Sequence, residues 1–170
     1  RWKNGTPNGH GKLTYANGKE YEGEWKDGSS YKGEYKDDKP DGHGIMIWSD
    51  GRKFIGEFKK GIPNGHGKII YADGEEFDGE WKDGSNYKGE YKDGKPNGQG
   101  AMIWSDGIKY TGQFINGKSD GDGTMMWPNG SKYVGQFKNG MIHGNGTTIY
   151  KNGKSRSGMW SENKYIGPVK

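Results

Sequence analysis

The chain has 170 residues and carries 26 Lys and Arg against 22 Asp and Glu, a net charge of +4. Only 28% of it is apolar and 14% aromatic, whereas its 34 glycines are about three times the usual share. These totals exclude a thick aliphatic core, and they exclude a disordered chain, which would lack aromatics. With no cysteine there is no disulfide and no Cys-based metal site, and no apolar run approaches the roughly 18 residues of a membrane span. Along the chain, GHGKLTY (9–15) alternates and is predicted to be a strand, with Gly11, Leu13 and Tyr15 on one face. ANG (16–18) follows as a tight hairpin turn. KEYEGEWK (19–26) is the next strand, with Tyr21, Gly23 and Trp25 on one face and Glu22, Glu24 and Lys26 on the other.

These two strand types then recur. The glycines of the aromatic-x-Gly motif are Gly23, Gly33, Gly56, Gly79, Gly89, Gly112, Gly135 and Gly158, spaced by 10, 23, 23, 10, 23, 23 and 23 residues. A higher period of 56 relates EWKDGSSYKGEYKDDKPDGHGIMIWSDG (24–51) to EWKDGSNYKGEYKDGKPNGQGAMIWSDG (80–107), so a whole block is duplicated. Units begin near residues 21, 31, 54, 77, 87, 110, 133 and 156. SDG, ADG, PNG and KNG supply the tight turns. The opposite connections, such as KKGIPNG (59–65), are predicted to be longer, because Pro and Gly oppose a continuing strand. At the two short spacings KDGSS and KDGSN join two first-type strands directly, which are predicted to pair and leave acidic patches at Glu22, Glu24 and Glu34 and at Asp78, Glu80 and Glu90.

The fold class is therefore all-β: an elongated, single-layer, twisted antiparallel sheet, a solenoid-like meander of about fourteen strands, roughly 65 Å long at the usual strand spacing. Residues 1–170 form one array, expected to be part of a longer protein because both ends cut the pattern; KYIG (164–167) reads as the start of another motif. The aromatics share one face with the motif glycines, each of which leaves room for a neighbouring ring to lie on the backbone. The other face carries an acidic ladder fading to Gln (Glu24, Glu34, Glu57, Glu80, Glu90, Gln113, Gln136) beside an apolar stripe of Ile45, Ile47, Ile70, Ile103, Met126 and Ile149.

Units such as YKGEYKDGKPNGQGAMIWSDG (87–107) and YVGQFKNGMIHGNGTTIYKNG (133–153) resemble MORN repeats, whose pattern is Tyr-x-Gly-Glu-Trp, a turn, then Gly-x-Gly at a 23-residue period. The resemblance spans essentially the whole chain. It implies a single-layer sheet of β-hairpin repeats acting as a protein-interaction scaffold or a membrane-adjacent module.

No catalytic set stands out. His10, His43 and His66 occupy one grid position and form a spaced row, not a convergent metal or catalytic site. No cofactor is implied, and no nucleic-acid partner, since the first-strand glutamates would repel phosphate. The expected activity is binding of an extended or helical protein segment, anchored by Trp25, Trp48, Tyr71, Trp81, Trp104, Trp127 and Tyr150. The alternative is association with anionic phospholipid at the basic C-terminal third, through Lys132, Lys138, Lys151, Lys154, Arg156 and Lys164. Open sheet edges also leave self-association available. The expected location is the cytoplasm, at membrane or cytoskeleton where the partner lies there.

Overall fold

The computed structural model describes residues 2–3, 6–15 and 17–169, and all regular elements among them are β-strands. In chain order these are β1 (Trp2–Lys3), β2 (Thr6–Pro7), β3 (Gly9–Thr14), β4 (Glu20–Trp25), β5 (Ser29–Lys36), β6 (Lys39–Trp48), β7 (Lys53–Lys59), β8 (Ile62–Ile70) and β9 (Glu76–Trp81). Next come β10 (Ser85–Lys92), β11 (Lys95–Trp104), β12 (Lys109–Ile115), β13 (Lys118–Met126), β14 (Lys132–Lys138), β15 (Met141–Ile149), β16 (Ser155–Ser161) and β17 (Lys164–Gly167). Every pairing joins consecutive strands, in sheets β1-β2, β3-β4, β5 to β9 and β10 to β17. The result is an all-β antiparallel meander without a closed barrel. The chain divides into two compact units, one ending at Asn86 and the other beginning at Tyr87.

The two kinds of turn are the reverse of the sequence expectation. Tight two-residue turns lie on the side expected to be longer. Both central residues have positive φ, as at Lys60 and Gly61 (51° and 86°) or Asn139 and Gly140 (50° and 81°). That is the type I′ geometry, whose twist matches the flanking strands. The following strand then runs straight through Pro40, Pro63 or Pro96. Each proline lacks a donor but uses its carbonyl: Gly61 N–H donates to Pro40 O at 2.8 Å and Gly84 N–H to Pro63 O at 3.0 Å. Neighbouring turns are thus stapled to one another. The SDG-type tips are looser, four-residue loops. Trp48 N–H donates to Arg52 O, Gly51 N–H donates to Trp48 O, and Asp50 Oδ1 accepts from Arg52 N–H at 3.0 Å.

The ring-on-glycine expectation holds. Gly56 pairs with Gly67 across the ladder, and the Phe54 ring lies so close over Gly67 that a Cβ there would run into it. Rings pack edge to face in a zigzag. In the first unit the order is Tyr35, Tyr31, Phe58, Phe54, Trp81, with centroid separations of 5.0 to 5.2 Å. In the second it is Tyr91, Tyr87, Phe114, Tyr110, Phe137, Tyr133, Trp160, Tyr165, at 4.8 to 5.6 Å. Such contacts add to the burial of the rings themselves. Phe54, Phe58, Tyr110, Phe114, Tyr133 and Phe137 are buried in consequence. On the opposite face Ile47 and Ile103 are buried, while Ile45, Ile70, Met126 and Ile149 are half-buried.

Two further expectations are corrected. Across the short spacings the two first-type strands do not form a ladder: only the bridges Lys26–Ser29 and Lys82–Ser85 remain, and the sheets end there. Side chains wedge in where a ladder would run. The Tyr21 hydroxyl meets Ser30 Oγ at 3.1 Å, and Asn86 Nδ2 donates to the Glu80 carbonyl at 2.7 Å. KYIG does not begin a motif. It pairs back on β16, Trp160 opposite Tyr165, and so takes the place of a second-type strand after the Glu162–Asn163 turn.

Burial pushes the Tyr110 phenol up to about 12, because ionising it would place charge among packed rings. Its contribution to stability is full below pH 10, the unfolded value, and is lost as pH rises towards about 12. Tyr110→Phe is expected to make the fall in unfolding free energy across that window shallower, as read by urea denaturation at successive pH values.

Candidate functional site

The aromatic face divides into rings that build the sheet and rings that remain accessible. Trp25 and Trp81 are buried, at 6% and 3% exposure. Each donates its indole N–H at 3.2 Å to a carbonyl of the preceding strand, that of Gly11 or Gly67, and Trp160 does the same to Gly146 at 3.3 Å. Tyr71 is also buried, edge-on to Phe77. Trp48, Trp104 and Trp127 are half-buried, and Tyr150 is 41% exposed. The Arg52 guanidinium lies 4.5 Å over the Trp48 ring, held by Asp50 at 2.7 Å. Trp104 and Trp127 pack at the margin of the second unit's ring cluster. Between Trp104, Phe114 and Met125 lies a groove of about 330 Å³, which reaches Gly117 and Gly140 at the tight turns and has Asp106 and Lys118 on its lining.

The supposed acidic ladder has a different use. Opposite the motif glutamate the second-type strand bulges: between Gly56 and Phe58 the partner advances from Gly67 to Pro63. Gly65 sits in that bulge at φ 109°, a conformation that favours glycine. The motif side chain folds over the bulge and accepts a backbone hydrogen bond. Glu34 Oε2 accepts from His43 N–H at 3.1 Å, Gln113 Oε1 from Asp122 N–H at 2.9 Å, and Gln136 Oε1 from Asn145 N–H at 2.8 Å; Glu90 does the same for Gln99. An acceptor oxygen is what the position requires, so Glu and Gln exchange freely. Where no second-type strand follows there is no such bulge to clamp, and the carboxylates meet a histidine of the preceding strand. There Glu80 meets His66 Nδ1 at 3.2 Å, and Asp78 meets Nε2 of the same ring at 3.0 Å.

His10 and His43 likewise face single carboxylates, Glu22 at 3.8 Å and Glu57 at 3.4 Å; both histidines and Glu22 are exposed and Glu57 is half-buried. Among the described residues no group of three or more His, Asp or Glu could hold a metal ion. The basic residues do not form one patch. Lys138 and Lys164 flank the tight turns, while Lys132, Lys151 and Lys154 flank the opposite loops. Arg156 lies 4.8 Å over the Tyr165 ring.

Two residues that sequence reasoning left inside the aromatic face stand out: Tyr35 and Tyr91, at 59% and 61% exposure. The equivalent Phe58, Phe114 and Phe137 are covered by a ring from the preceding unit. At the ten-residue spacing the second-type strand that elsewhere lies between two first-type strands is missing, and with it this packing, so the spacing itself carried the signal.

The family model described as MORN repeat matches residues 1–20, 21–29, 31–51, 54–76, 87–109, 110–132 and 133–155. The second short spacing, 77–86, lies outside these matches although it holds the same first-type strand. MORN repeats are found in scaffold proteins that bind proteins or membranes, and the repeat is generally a non-enzymatic module. No curated protein matches the chain. The reading of the motif acid as a bulge clamp has a direct check: Glu34→Gln is expected to leave urea stability unchanged, whereas Glu34→Ala lowers it by about 1 kcal/mol, the worth of one lost hydrogen bond.

Proposed function

The chain belongs to the MORN-repeat family, and on that premise we propose that it is a non-enzymatic scaffold binding an extended or helical protein segment along its aromatic face. The observation that carries this reading is the groove beside Trp104, Phe114 and Met125. An apolar floor with one acidic and one basic residue on its lining suits a segment that buries apolar side chains and fixes its direction by charge. Trp48, Trp127 and Tyr150 extend the accessible aromatic surface within their own units. Trp25, Trp81 and Tyr71 support it from within as packed rings. Because Lys138 and Lys164 lie at one end of the strands and Lys132, Lys151 and Lys154 at the other, they give a lipid surface no single point of attachment, and the protein-binding reading is preferred.

Capture from the cell of origin with the wild type and with Trp48→Ala/Trp104→Ala/Trp127→Ala tests this, with circular dichroism confirming that the variant stays folded. The expected result is loss of one or more captured proteins. An unchanged captured set on a folded variant rules the groove out.

A further inference from the structure

The short spacings leave something besides an uncovered ring. β5 and β10 are the first strands of their sheets, and no strand pairs with their outer edges among the described residues. The direction of that edge follows from the turn before it. Ser29 exchanges both backbone hydrogen bonds with Lys26, and Ser85 with Lys82, so Ser29 and Ser85 face away from β6 and β11. By strand alternation the backbone N–H and C=O groups of Tyr31, Gly33 and Tyr35 point to that same edge, as do those of Tyr87, Gly89 and Tyr91. Exposure agrees. Gly33 and Gly89 are exposed, whereas Gly23, Gly56, Gly79, Gly112, Gly135 and Gly158 are buried or half-buried.

We infer that these two edges, each reading YKGEYKD (31–37 and 87–93), take up an acidic extended peptide by strand addition. The backbone supplies donors and acceptors at a glycine where no side chain obstructs approach. Tyr35 or Tyr91 offers an exposed ring on one face of the added strand. The other face presents Lys32 and Lys36, or Lys88 and Lys92, all exposed. The glutamate between each lysine pair is occupied: Glu34 holds the His43 N–H, and Glu90 the Gln99 N–H. At β5 a partner strand therefore meets two exposed cations, Lys32 and Lys36, flanking a satisfied carboxylate. Acidic residues four apart fit that pattern, with apolar residues between them for the tyrosine face. A second copy of the same edge fits less well, because antiparallel pairing centred on Glu34 sets Lys32 against Lys36. This surface is separate from the aromatic groove and does not depend on it.

The test uses the full chain and an acetylated, amidated pentapeptide Glu-Phe-Thr-Val-Glu. Calorimetry is expected to show binding at both edges, and amide exchange is expected to slow at Gly33, Tyr35, Gly89 and Tyr91. Reversing the charges of one edge with Lys32→Glu/Lys36→Glu, a change confined to exposed side chains, is expected to weaken that edge about tenfold and leave the other intact. Trp104→Ala is expected to leave peptide binding unchanged, which separates this site from the groove. Three results overturn the proposal: equal binding of a peptide N-methylated at the amides that would face the edge, equal binding of Lys-Phe-Thr-Val-Lys, or protection of the same amides by raised protein concentration alone, which would assign the edges to self-association.

Discussion

An aromatic ring packed against a pair of cross-strand glycines is the interaction on which the rest of the molecule depends. A sheet without a second layer has no opposing surface to bury its side chains, and 28% apolar residues could not build one. The rings therefore pack on the sheet's own backbone. Gly56 opposite Gly67, and its equivalents in other units, create the recess, and each ring then meets the ring of the next unit edge to face. The glycine content and the 23-residue period are two expressions of this one packing solution. A chain this poor in Leu and Val still acquires residues with almost no exposure, among them Tyr110 and Tyr133.

The other features that recur from unit to unit serve the ladder beneath the rings. Type I′ turns match strand twist, and their glycine N–H groups staple one hairpin to the carbonyl of the one before. The bulge beside each tight turn brings a strand segment out of register, and a Glu or Gln oxygen satisfies the N–H it frees. These are backbone requirements met by side chains. They leave Trp48, Trp104, Trp127 and Tyr150 at the loop ends with part of each ring accessible.

Much of this was legible in the sequence, because period-2 alternation and fixed Gly-aromatic spacing report directly on which side chains share a face. The strand order, the ring face and the place of glycine all follow from that. Less could be read where one residue type serves two physical ends. Asn-Gly and Asp-Gly fit both type I′ turns and four-residue loops, so which side was tight depended on φ at the preceding residue, Asp37 or Lys60. Glutamate reads as solvated charge, and its role at position 34 emerged only with the bulge, whose register no spacing reveals. The exchange of Glu34 for Gln113 and Gln136 down the array was the available hint that an oxygen, not a charge, was wanted. The short spacings looked like a continuing ladder; the buried Ser30 and Asn86 side chains that break it have no pattern of their own.

The strictly consecutive strand pairing has a kinetic consequence. Most all-β folds are slow to form because they join strands distant in sequence, and the chain must close long loops before any contact rewards it. Here each strand within a sheet needs only its neighbours in sequence, as in a helical repeat, and a finished hairpin is a template for the next strand of that sheet. The protein thus combines the chemistry of a β-sheet with the contact order of a local fold. Each sheet can assemble strand by strand as the chain emerges from synthesis, without waiting for a distant segment.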